Sequence, residues 1–248
     1  MRIGLRKSAK ISAIFLLALA MAVAVFCVFF DQAVFLRKGA VYRGSTLGNA
    51  VALTFDDGPS PLWTPRILDE LKALNVKATF FVLGKHVEQY PNIAKRLVAE
   101  GHEIENHTYE HHVLIYYKTY ELEKDIKKTE SIVRAVTGRT TRYFRPPKAW
   151  LMGGEKAKVR EMGYRVVLWS LNSKDWVTFD DKYMVKHILS NVQPGDVILF
   201  HDSGGVFGTE GGNREETVKT IHQLVPKLRE RGYRFVTVAE LLGDAPQQ

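Results

Sequence analysis

The chain has 248 residues, of which 46% are hydrophobic and 25% are charged, and its formal net charge is +8 at pH 7. This composition is typical of one globular domain with a full core and an appendage. A single cysteine, Cys27, excludes an internal disulfide framework and a cysteine-rich metal site, and the sequence has no basic stripe with interleaved aromatic residues that would indicate nucleic-acid binding.

The first predicted element is an uncharged apolar segment, Ile11 to Phe30, that follows four basic residues. An apolar helix of about 20 residues spans roughly 30 Å, the thickness of the hydrocarbon core of a bilayer. The basic flank predicts that the N-terminus stays in the cytoplasm and that the rest of the chain is exported. We therefore interpret residues 1–30 as a single-pass signal anchor in the cell membrane. A cleaved signal peptide, which would give a secreted protein, is the alternative.

Residues 31–49 are interpreted as a short stem, and an alternation of strand-like and helix-like segments begins at Val51. Helix-like stretches with marked ends lie between the strand-like runs, and the longest of them is Tyr120–Thr137. This alternation predicts an α/β fold with a parallel sheet that is closed or nearly closed into a barrel, with a flat doubly wound sheet as the alternative. The predicted strands are 51–55, 77–82, 102–106, 142–145, 165–170, 196–200 and 234–238.

Polar side chains follow several of these predicted strands at the point where each strand ends. In parallel α/β folds, the loops after the carboxyl ends of the strands line the active site, so residues distant in sequence converge on one mouth. This convergence predicts an enzyme. The residues concerned are Asp56 and Asp57 after the first strand, His107 after the third, Arg145 after the fourth, Asp175 beyond the fifth and His201 after the sixth.

The motif HTYEH places His107 and His111 four residues apart. On a helix this spacing puts two side chains one turn apart, so both imidazoles can point at one ion. The spacing alone fits a surface pair without function equally well. An aspartate expected at the same rim favours a catalytic zinc site, because two imidazoles and one carboxylate are a recurring ligand set for that metal.

The paired aspartates Asp56 and Asp57 point in different directions at a strand end, so one can hold a metal while the other takes a proton from an attacking water. A leaving amine also needs a proton, and His201 is a candidate donor. A histidine that only caps its strand is the alternative interpretation of His201.

Five motifs together resemble a known family. They are TFDDG (54–58), HTYEH (107–111), RPP (145–147), DW (175–176) and LFH (199–201), and they occur in the order of the five motifs of the polysaccharide deacetylases, the NodB-homology domains of carbohydrate esterase family 4. The resemblance covers about residues 50–242. It implies a distorted, seven-stranded, TIM-barrel-like (β/α) barrel that removes N-acetyl groups from N-acetylglucosamine-containing polymers. The family usually uses zinc, with other divalent metals such as Co²⁺ as alternatives.

The resemblance also implies a role for each motif residue. It makes Asp56 the general base, Asp57, His107 and His111 the metal ligands, Arg145 the partner that orients Asp56, and Asp175 the residue that holds the general acid His201. On the substrate side it implies Pro147, the backbone N–H of Lys148 as an oxyanion donor, and Trp176 and Leu199 as the wall around the acetyl methyl group.

The sequence departs from the family pattern at several positions. Lys148 and Ala149 stand where an aromatic residue and glycine are common, so a stacking platform is lost there unless Trp150 replaces it. Glu105 stands where glycine is usual, and a glycine-rich loop follows His201. These departures bear on the choice of substrate more than on the chemistry. Three other histidines, His86, His187 and His222, fit solvated helix positions.

The predicted organisation is an anchor at 1–30, a stem at 31–49, a catalytic domain at 50–242 outside the cytoplasm and a tail at 243–248. Peptidoglycan is the expected substrate, with chitin oligomers or an exopolysaccharide as alternatives. A glycoside hydrolase would need two carboxylates about 5–10 Å apart across the scissile bond, and that mechanism leaves His107 and His111 without a role. A non-catalytic wall-binding protein is the other alternative, although it would not need the complete motif set.

Overall fold

The computed structural model describes residues 12–19, 21–22, 33–44, 48–112, 114, 118–204 and 212–245. Residues 12–19 and 21–22 are helical and exposed. Within the described ranges, no helix combines the length and the apolar character that a membrane crossing requires. The remainder of the predicted anchor, including residues 23–30, and most of the glycine-rich loop, residues 205–211, lie outside the described residues.

In the described part of the chain, the strands form one sheet in which all named strand pairs are parallel. Seven strands follow the order β5-β4-β3-β2-β1-β7-β6, and the short β8 pairs with the beginning of β1. The α/β class and the parallel sheet are confirmed, and the seven strands form a half-barrel. The strands are β1 (Ala50–Asp56), β2 (Thr79–Val82), β3 (Glu103–Asn106), β4 (Tyr143–Phe144), β5 (Arg165–Val166), β6 (Leu171–Asn172), β7 (Val197–His201) and β8 (Arg234–Phe235).

Helices follow most of the strands and cover the outside of the sheet. The longest described helix is α5, close to its predicted bounds, and it ends where Gly138 adopts a left-handed φ of 74°. The helices are α1 (Ala33–Leu36), α2 (Trp63–Ala73), α3 (Gly84–Gln89), α4 (Pro91–Ala99), α5 (Thr119–Thr137), α6 (Gly153–Glu161), α7 (Asp181–Asn191), α8 (Glu215–Glu230) and α9 (Val238–Leu242).

The predicted strand 165–170 is a strand only over Arg165–Val166, and the rest of the run crosses to the other end of the sheet. Its first residues form β5 at one end of the strand order, and β6 begins at the other end just after it. The five steps from Val166 to Leu171 reach about 18 Å at full extension, so the two edges must lie close together. Val167 N donates to Phe144 O at 3.0 Å on one side of the gap, and Ser170 N donates to Val197 O at 3.0 Å on the other. The sheet therefore curls because the chain itself joins its two edges.

Two layers of apolar side chains lie on the two faces of the central strand β1, which is buried along its whole length. Val51, Leu53 and Phe55 belong to the outer core between the sheet and the helices, whereas Ala50 and Ala52 belong to the core inside the curled sheet. Side chains alternate along a strand. The inner-face residues near the end of β1 are polar, and they lie at the rim of the sheet.

The segment interpreted as a stem contacts the connection between β5 and β6. Ala33 is fully buried. Val41 N donates to Val166 O at 2.8 Å, and Leu168 N donates to Val41 O at 2.7 Å. The guanidinium of Arg37 donates to the carbonyls of residues 169 and 170 at 3.1 and 3.3 Å. Residues 33–44 therefore pack onto the gap in the half-barrel. The limits assigned to the domain stay a prediction.

Candidate active site

The carboxyl ends of β1 and β3 bring together three side chains that could hold a metal ion. One ligand atom from each of Asp57, His107 and His111 lies within 4.8 Å of the others. The Nε2 atoms of His107 and His111 lie 3.4 and 3.3 Å from the same oxygen, Oδ1 of Asp57. These distances place three donor atoms around one small volume at the rim of the sheet.

The protonation of Asp57 and His111 and the orientation of His107 suit a divalent cation. Asp57 Oδ1 is buried and accepts no hydrogen bond within the described residues. Burial opposes the ionisation of Asp57, but the nearby histidines hold its pKa below the ordinary value. Burial lowers the pKa of His111 to about 4, so its imidazole is neutral near pH 7. His107 Nδ1 lies 2.7 Å from the carbonyl oxygen of Arg145, which leaves Nε2 as the ligand atom.

The two histidines do not lie on a helix, so the predicted one-turn arrangement is wrong. Thr108 and His111 have left-handed φ angles of 74° and 60°, and residues 107–112 form a loop. Side chains take the hydrogen bonds that a helix would make, since Asn106 Oδ1 accepts from Thr108 N at 2.9 Å and Thr108 Oγ1 accepts from His111 N at 3.1 Å. The ring centroids nevertheless lie 5.2 Å apart. The loop brings the imidazoles together by a different backbone path.

Asp56 lies beside the triad but faces a different partner. Its Oδ1 accepts from Nη1 of Arg145 at 2.7 Å, and Oδ2 lies 3.9 Å from His107 Nε2. Arg145 is fully buried and also donates to Thr54 Oγ1 at 2.8 Å and to two carbonyls of the β5–β6 connection. A charged hydrogen bond of this length fixes the direction of the carboxylate. Asp56 is therefore an oriented, buried carboxylate next to the metal triad.

Asp175 and His201 form a second buried pair on the same rim. Asp175 Oδ1 lies 2.8 Å from His201 Nδ1, while Oδ2 accepts from the His201 backbone N–H at 2.8 Å and from Thr217 Oγ1 at 3.1 Å. Burial disfavours the charged imidazole, yet the carboxylate of Asp175 raises the pKa of His201 above its ordinary value. His201 and Asp56 are Cα partners on the neighbouring strands β7 and β1. A proton donor therefore lies next to the oriented carboxylate.

The predicted substrate-side residues occupy different environments. Pro147 is buried in a 3₁₀ turn (Pro147–Ala149), and the exposed Lys148 follows it. Leu199 is buried in the inner core, and Trp176 is half-buried. Ala149, in the position where the family commonly has glycine, has a φ of 62°. An L-residue pays about 1–2 kcal/mol in this region, which is the physical reason why glycine suits the position.

Two buried residues beside the site were not predicted from the sequence. His86, expected at a solvated helix position, is 1% exposed, and its Nδ1 lies 2.7 Å from the carbonyl oxygen of Asp57, so that prediction is wrong. Asp202 is buried below Gly58 and accepts from Thr64 Oγ1 at 2.6 Å. A Cβ on Gly58 would lie 2.0 Å from Asp202 Oδ2. Burial raises the pKa of Asp202 to about 7. Only its position directly after the LFH motif could have drawn attention to Asp202.

Comparison with known proteins identifies the family. The family model described as polysaccharide deacetylase matches residues 43–167. The chain is also 40% identical over 198 residues to a peptidoglycan-N-acetylglucosamine deacetylase of Bacillus cereus, a match that covers 80% of this chain and 70% of that protein. The chain belongs to the polysaccharide deacetylase family. It is also 34% identical to a chitooligosaccharide deacetylase of Sinorhizobium fredii, over 78% of this chain and 92% of that protein.

A solved structure agrees with this assignment. The crystal structure of the Bc1960 peptidoglycan N-acetylglucosamine deacetylase superimposes with a TM-score of 0.80 at 36% identity, covering 85% of this chain and 95% of that one. The protein is accordingly an enzyme of the polysaccharide deacetylase family, a hydrolase of amide C–N bonds. Deacetylases of this family depend on a metal ion, and Asp57, His107 and His111 form a candidate metal site in this chain.

Proposed function

We propose that this polysaccharide deacetylase removes N-acetyl groups from the N-acetylglucosamine units of peptidoglycan, with zinc held by Asp57, His107 and His111. The observation that carries the proposal is the convergence of these three ligand atoms within 4.8 Å, beside the oriented carboxylate of Asp56. Two imidazoles and one carboxylate are a ligand set of catalytic zinc. When bound, the metal supplies Lewis acidity at the acetyl group and at water.

Asp56 is the proposed general base. Its carboxylate can accept a proton from the water that attacks the acetyl carbonyl carbon, because it lies at the rim and is not needed as a ligand. Arg145 donates to Asp56 Oδ1 at 2.7 Å and keeps the carboxylate aimed at the site. Removing Arg145 would leave a buried, unpaired charge.

His201 is the proposed general acid. With Nδ1 hydrogen-bonded to Asp175, its Nε2 carries the proton that the departing amine needs when the amide C–N bond breaks. The raised pKa of His201 favours the protonated imidazole that this step requires. We assign the second oxyanion donor to the backbone N–H of Lys148, and the wall around the acetyl methyl group to Trp176 and Leu199.

Peptidoglycan is the proposed polymer because the chain is more similar to a peptidoglycan deacetylase than to a chitooligosaccharide deacetylase. The identity to a peptidoglycan-N-acetylglucosamine deacetylase is 40%, compared with 34% to a chitooligosaccharide deacetylase. Chitin oligomers and an exopolysaccharide are the alternatives that the assay must distinguish.

We also propose that the enzyme works outside the cytoplasm, held at the cell membrane by residues 1–30. The support is the uncharged apolar run Ile11–Phe30 and the four basic residues before it. An exported position would place the catalytic domain next to a cell-envelope polysaccharide.

The decisive assay incubates the zinc-loaded protein with peptidoglycan fragments and, separately, with chitooligosaccharides. Acetate release that is faster from peptidoglycan supports the proposal, and faster release from chitooligosaccharides would replace the proposed substrate. New reducing ends would indicate a glycoside hydrolase, and the absence of both products would indicate a non-catalytic wall-binding protein.

Two variants test the assigned roles. Asp57→Ala removes a ligand and should lose bound zinc, as measured by elemental analysis of the dialysed protein. Asp56→Asn should retain zinc but lose about 10²–10⁴-fold in kcat, the usual contribution of a general base. His222→Gln, at an exposed position on α8, is the control and should keep both metal and activity. Equal loss of metal in the two aspartate variants would overturn the roles.

A further inference from the structure

Arg214, immediately before α8, is 3% exposed, yet among the described residues its guanidinium donates to carbonyl groups and not to a carboxylate. Its Nε donates to Ser203 O at 3.0 Å, Nη1 to Asp175 O at 2.7 Å and Nη2 to Gly204 O at 2.8 Å. Burying a guanidinium is costly unless its donors are satisfied. Three directed hydrogen bonds to three separate carbonyls offset that cost.

These carbonyls belong to the segments that carry the proposed acid pair. One belongs to Asp175 itself, and the other two follow His201 by two and three residues. Thr217, in the first turn of α8, also donates to Asp175 Oδ2 at 3.1 Å. The start of α8 therefore holds Asp175 at its main chain through Arg214 and at its carboxylate through Thr217.

The direction of the Asp175 carboxylate matters because both of its oxygens bind His201. Oδ1 binds the imidazole Nδ1 and Oδ2 accepts from the backbone N–H, each at 2.8 Å. A small rotation of Asp175 would turn the imidazole away from the site. The planar guanidinium has donors in a fixed fork, so it can hold several acceptors in one geometry, which an ammonium group cannot do.

The charge of Arg214 acts on the same pair. Three charged groups face His201: Asp175 and Asp57 raise the pKa of the imidazole, whereas Arg214 lowers it and burial opposes the charged form. Burial is the largest of these effects, and the two carboxylates together outweigh burial and Arg214, so the pKa of His201 is raised. Loss of the positive charge at position 214 would raise the pKa of His201 further.

We propose that Arg214 is a positioning residue, which fixes Asp175 through its clamp on three carbonyls and thereby aims the imidazole of His201 at the leaving amine. This inference rests on the proposed function, in which His201 donates the proton. The residue does not touch the acetyl group. Its effect on catalysis passes through Asp175.

The test uses zinc-loaded full chains that carry Arg214→Gln, Arg214→Lys or the matched control Arg229→Gln. Arg229 is an exposed arginine on α8, and its guanidinium donates a hydrogen bond to Asn75 O at 3.1 Å. We expect Arg214→Gln to lower kcat about 10–100-fold, the effect of a small misplacement of a catalytic group, with KM within about threefold. The alkaline limb of its kcat–pH profile should move together with the pKa of His201. Arg214→Lys should recover part of kcat and leave that limb nearer to its original position.

NMR titration of the His201 imidazole supplies a readout that does not depend on turnover. The pKa of His201 should differ from that of the parent in Arg214→Gln, because the variant changes both the charge and the hold on Asp175, and should stay unchanged in Arg229→Gln, whether or not acetate is released. An inactive parent protein would therefore overturn the proposed function alone. A folded Arg214→Gln protein with the kcat, pH limb and His201 titration of the control would overturn the role of Arg214. If Arg214→Gln does not fold, Arg214→Lys decides: kcat at least fivefold below the parent supports the role, and an unchanged kcat rejects it.

Discussion

At the scale of single residues, the adjacent aspartates at the end of β1 are tolerated because each faces its own partner. Asp56 Oδ1 lies 2.7 Å from Arg145, whereas Asp57 Oδ1 lies 3.3 and 3.4 Å from the two histidines of the triad. Asp57 has a left-handed φ of 76°, so the chain turns between the two carboxylates. His86 binds the carbonyl of this strained residue. Local strain of this kind persists only where the surroundings hold it in place.

The hydrogen bond from His86 predicts an indirect effect on metal binding. His86→Leu removes the donor to Asp57 O, so the zinc affinity should fall about tenfold, the lower end of the effect of residues that support metal ligands. His86→Asn is the matched control, because its amide N–H₂ can replace Nδ1, and it should stay within about threefold of the parent. Competition with a chromogenic chelator measures both constants. Equal affinities of the Leu variant and the parent would contradict this role.

A second histidine predicts how stability depends on pH. His102 is buried, its Nδ1 accepts from Ala78 N at 3.2 Å, and burial lowers its pKa from 6.5 to about 4. The unfolded chain binds a proton near pH 6.5 and the folded chain only near pH 4, so this contribution to stability is complete above pH 6.5 and is lost as the pH falls towards 4.

The expected consequence is measurable by urea unfolding at pH 7 and pH 4.5. The free energy of unfolding of the parent should fall between these two pH values by about 2 kcal/mol more than that of His102→Asn, since each unit of pKa difference corresponds to about 1.4 kcal/mol. Parallel declines in the two proteins would show that His102 does not carry the effect.

At the scale of elements, β3 and β4 are joined largely by a side chain. Their ladder consists of one residue pair, Asn106 with Phe144. Glu105 is fully buried, and its Oε2 accepts from the backbone N–H groups of Arg142 and Tyr143 at 2.7 Å each. Burial raises the pKa of Glu105 well above its usual range. The departure from glycine at this position therefore extends the strand pairing that places Arg145 at the rim.

This arrangement predicts opposite outcomes for two substitutions. Glu105→Gln keeps an acceptor for both N–H groups and should change the free energy of unfolding by less than about 1 kcal/mol. Glu105→Gly leaves two buried donors unsatisfied and should cost about 3 kcal/mol, because each such group costs about 1–3 kcal/mol. Denaturant unfolding of the three proteins tests this. A glycine variant as stable as the parent would mean that the backbone pairs β3 and β4 without the side chain.

At the scale of the whole molecule, the half-barrel is completed by chain segments outside the regular strands. The connection between β5 and β6 joins the two edges of the sheet, and residues 33–44 pack against this connection. Arg43 adds an ion pair with the buried Asp196 at 2.7 Å. The rim that carries the site thus depends on the contacts that residues 33–44 make with the β5–β6 connection and with Asp196.

We expect the stability of the domain to depend on this segment. A protein that begins at residue 33 should retain the Tm of the domain, whereas one that begins at residue 45 loses the hydrogen bonds of Arg37 and Val41. At about 1 kcal/mol for each net hydrogen bond, the loss is about 3–5 kcal/mol, or roughly 10 °C in Tm for a domain of this size. Calorimetry of both proteins measures it. Identical Tm values would show that the domain begins near residue 50, as predicted from the sequence.

The sequence by itself determined the class of fold and the family. Alternating strand-like and helix-like segments are local patterns, and their order predicts a parallel α/β sheet whose strand ends share one rim. The motifs from TFDDG to LFH then named the residues that meet there, and the structure brings Asp57, His107 and His111 within reach of one ion. The membrane anchor and the roles of the site residues stay predictions.

Only the tertiary structure decided how these pieces fit together. It ended the predicted strand 165–170 at Val166, formed a loop where a helical histidine pair was expected, buried His86 against Asp57 and placed Arg214 against Asp175. The loop depends on side-chain hydrogen bonds within the motif, and the other three features depend on hydrogen bonds between residues distant in sequence. Periodicity within a segment shows which face of an element is apolar. It carries no information on the residues of other elements that pack against that face or form hydrogen bonds with it.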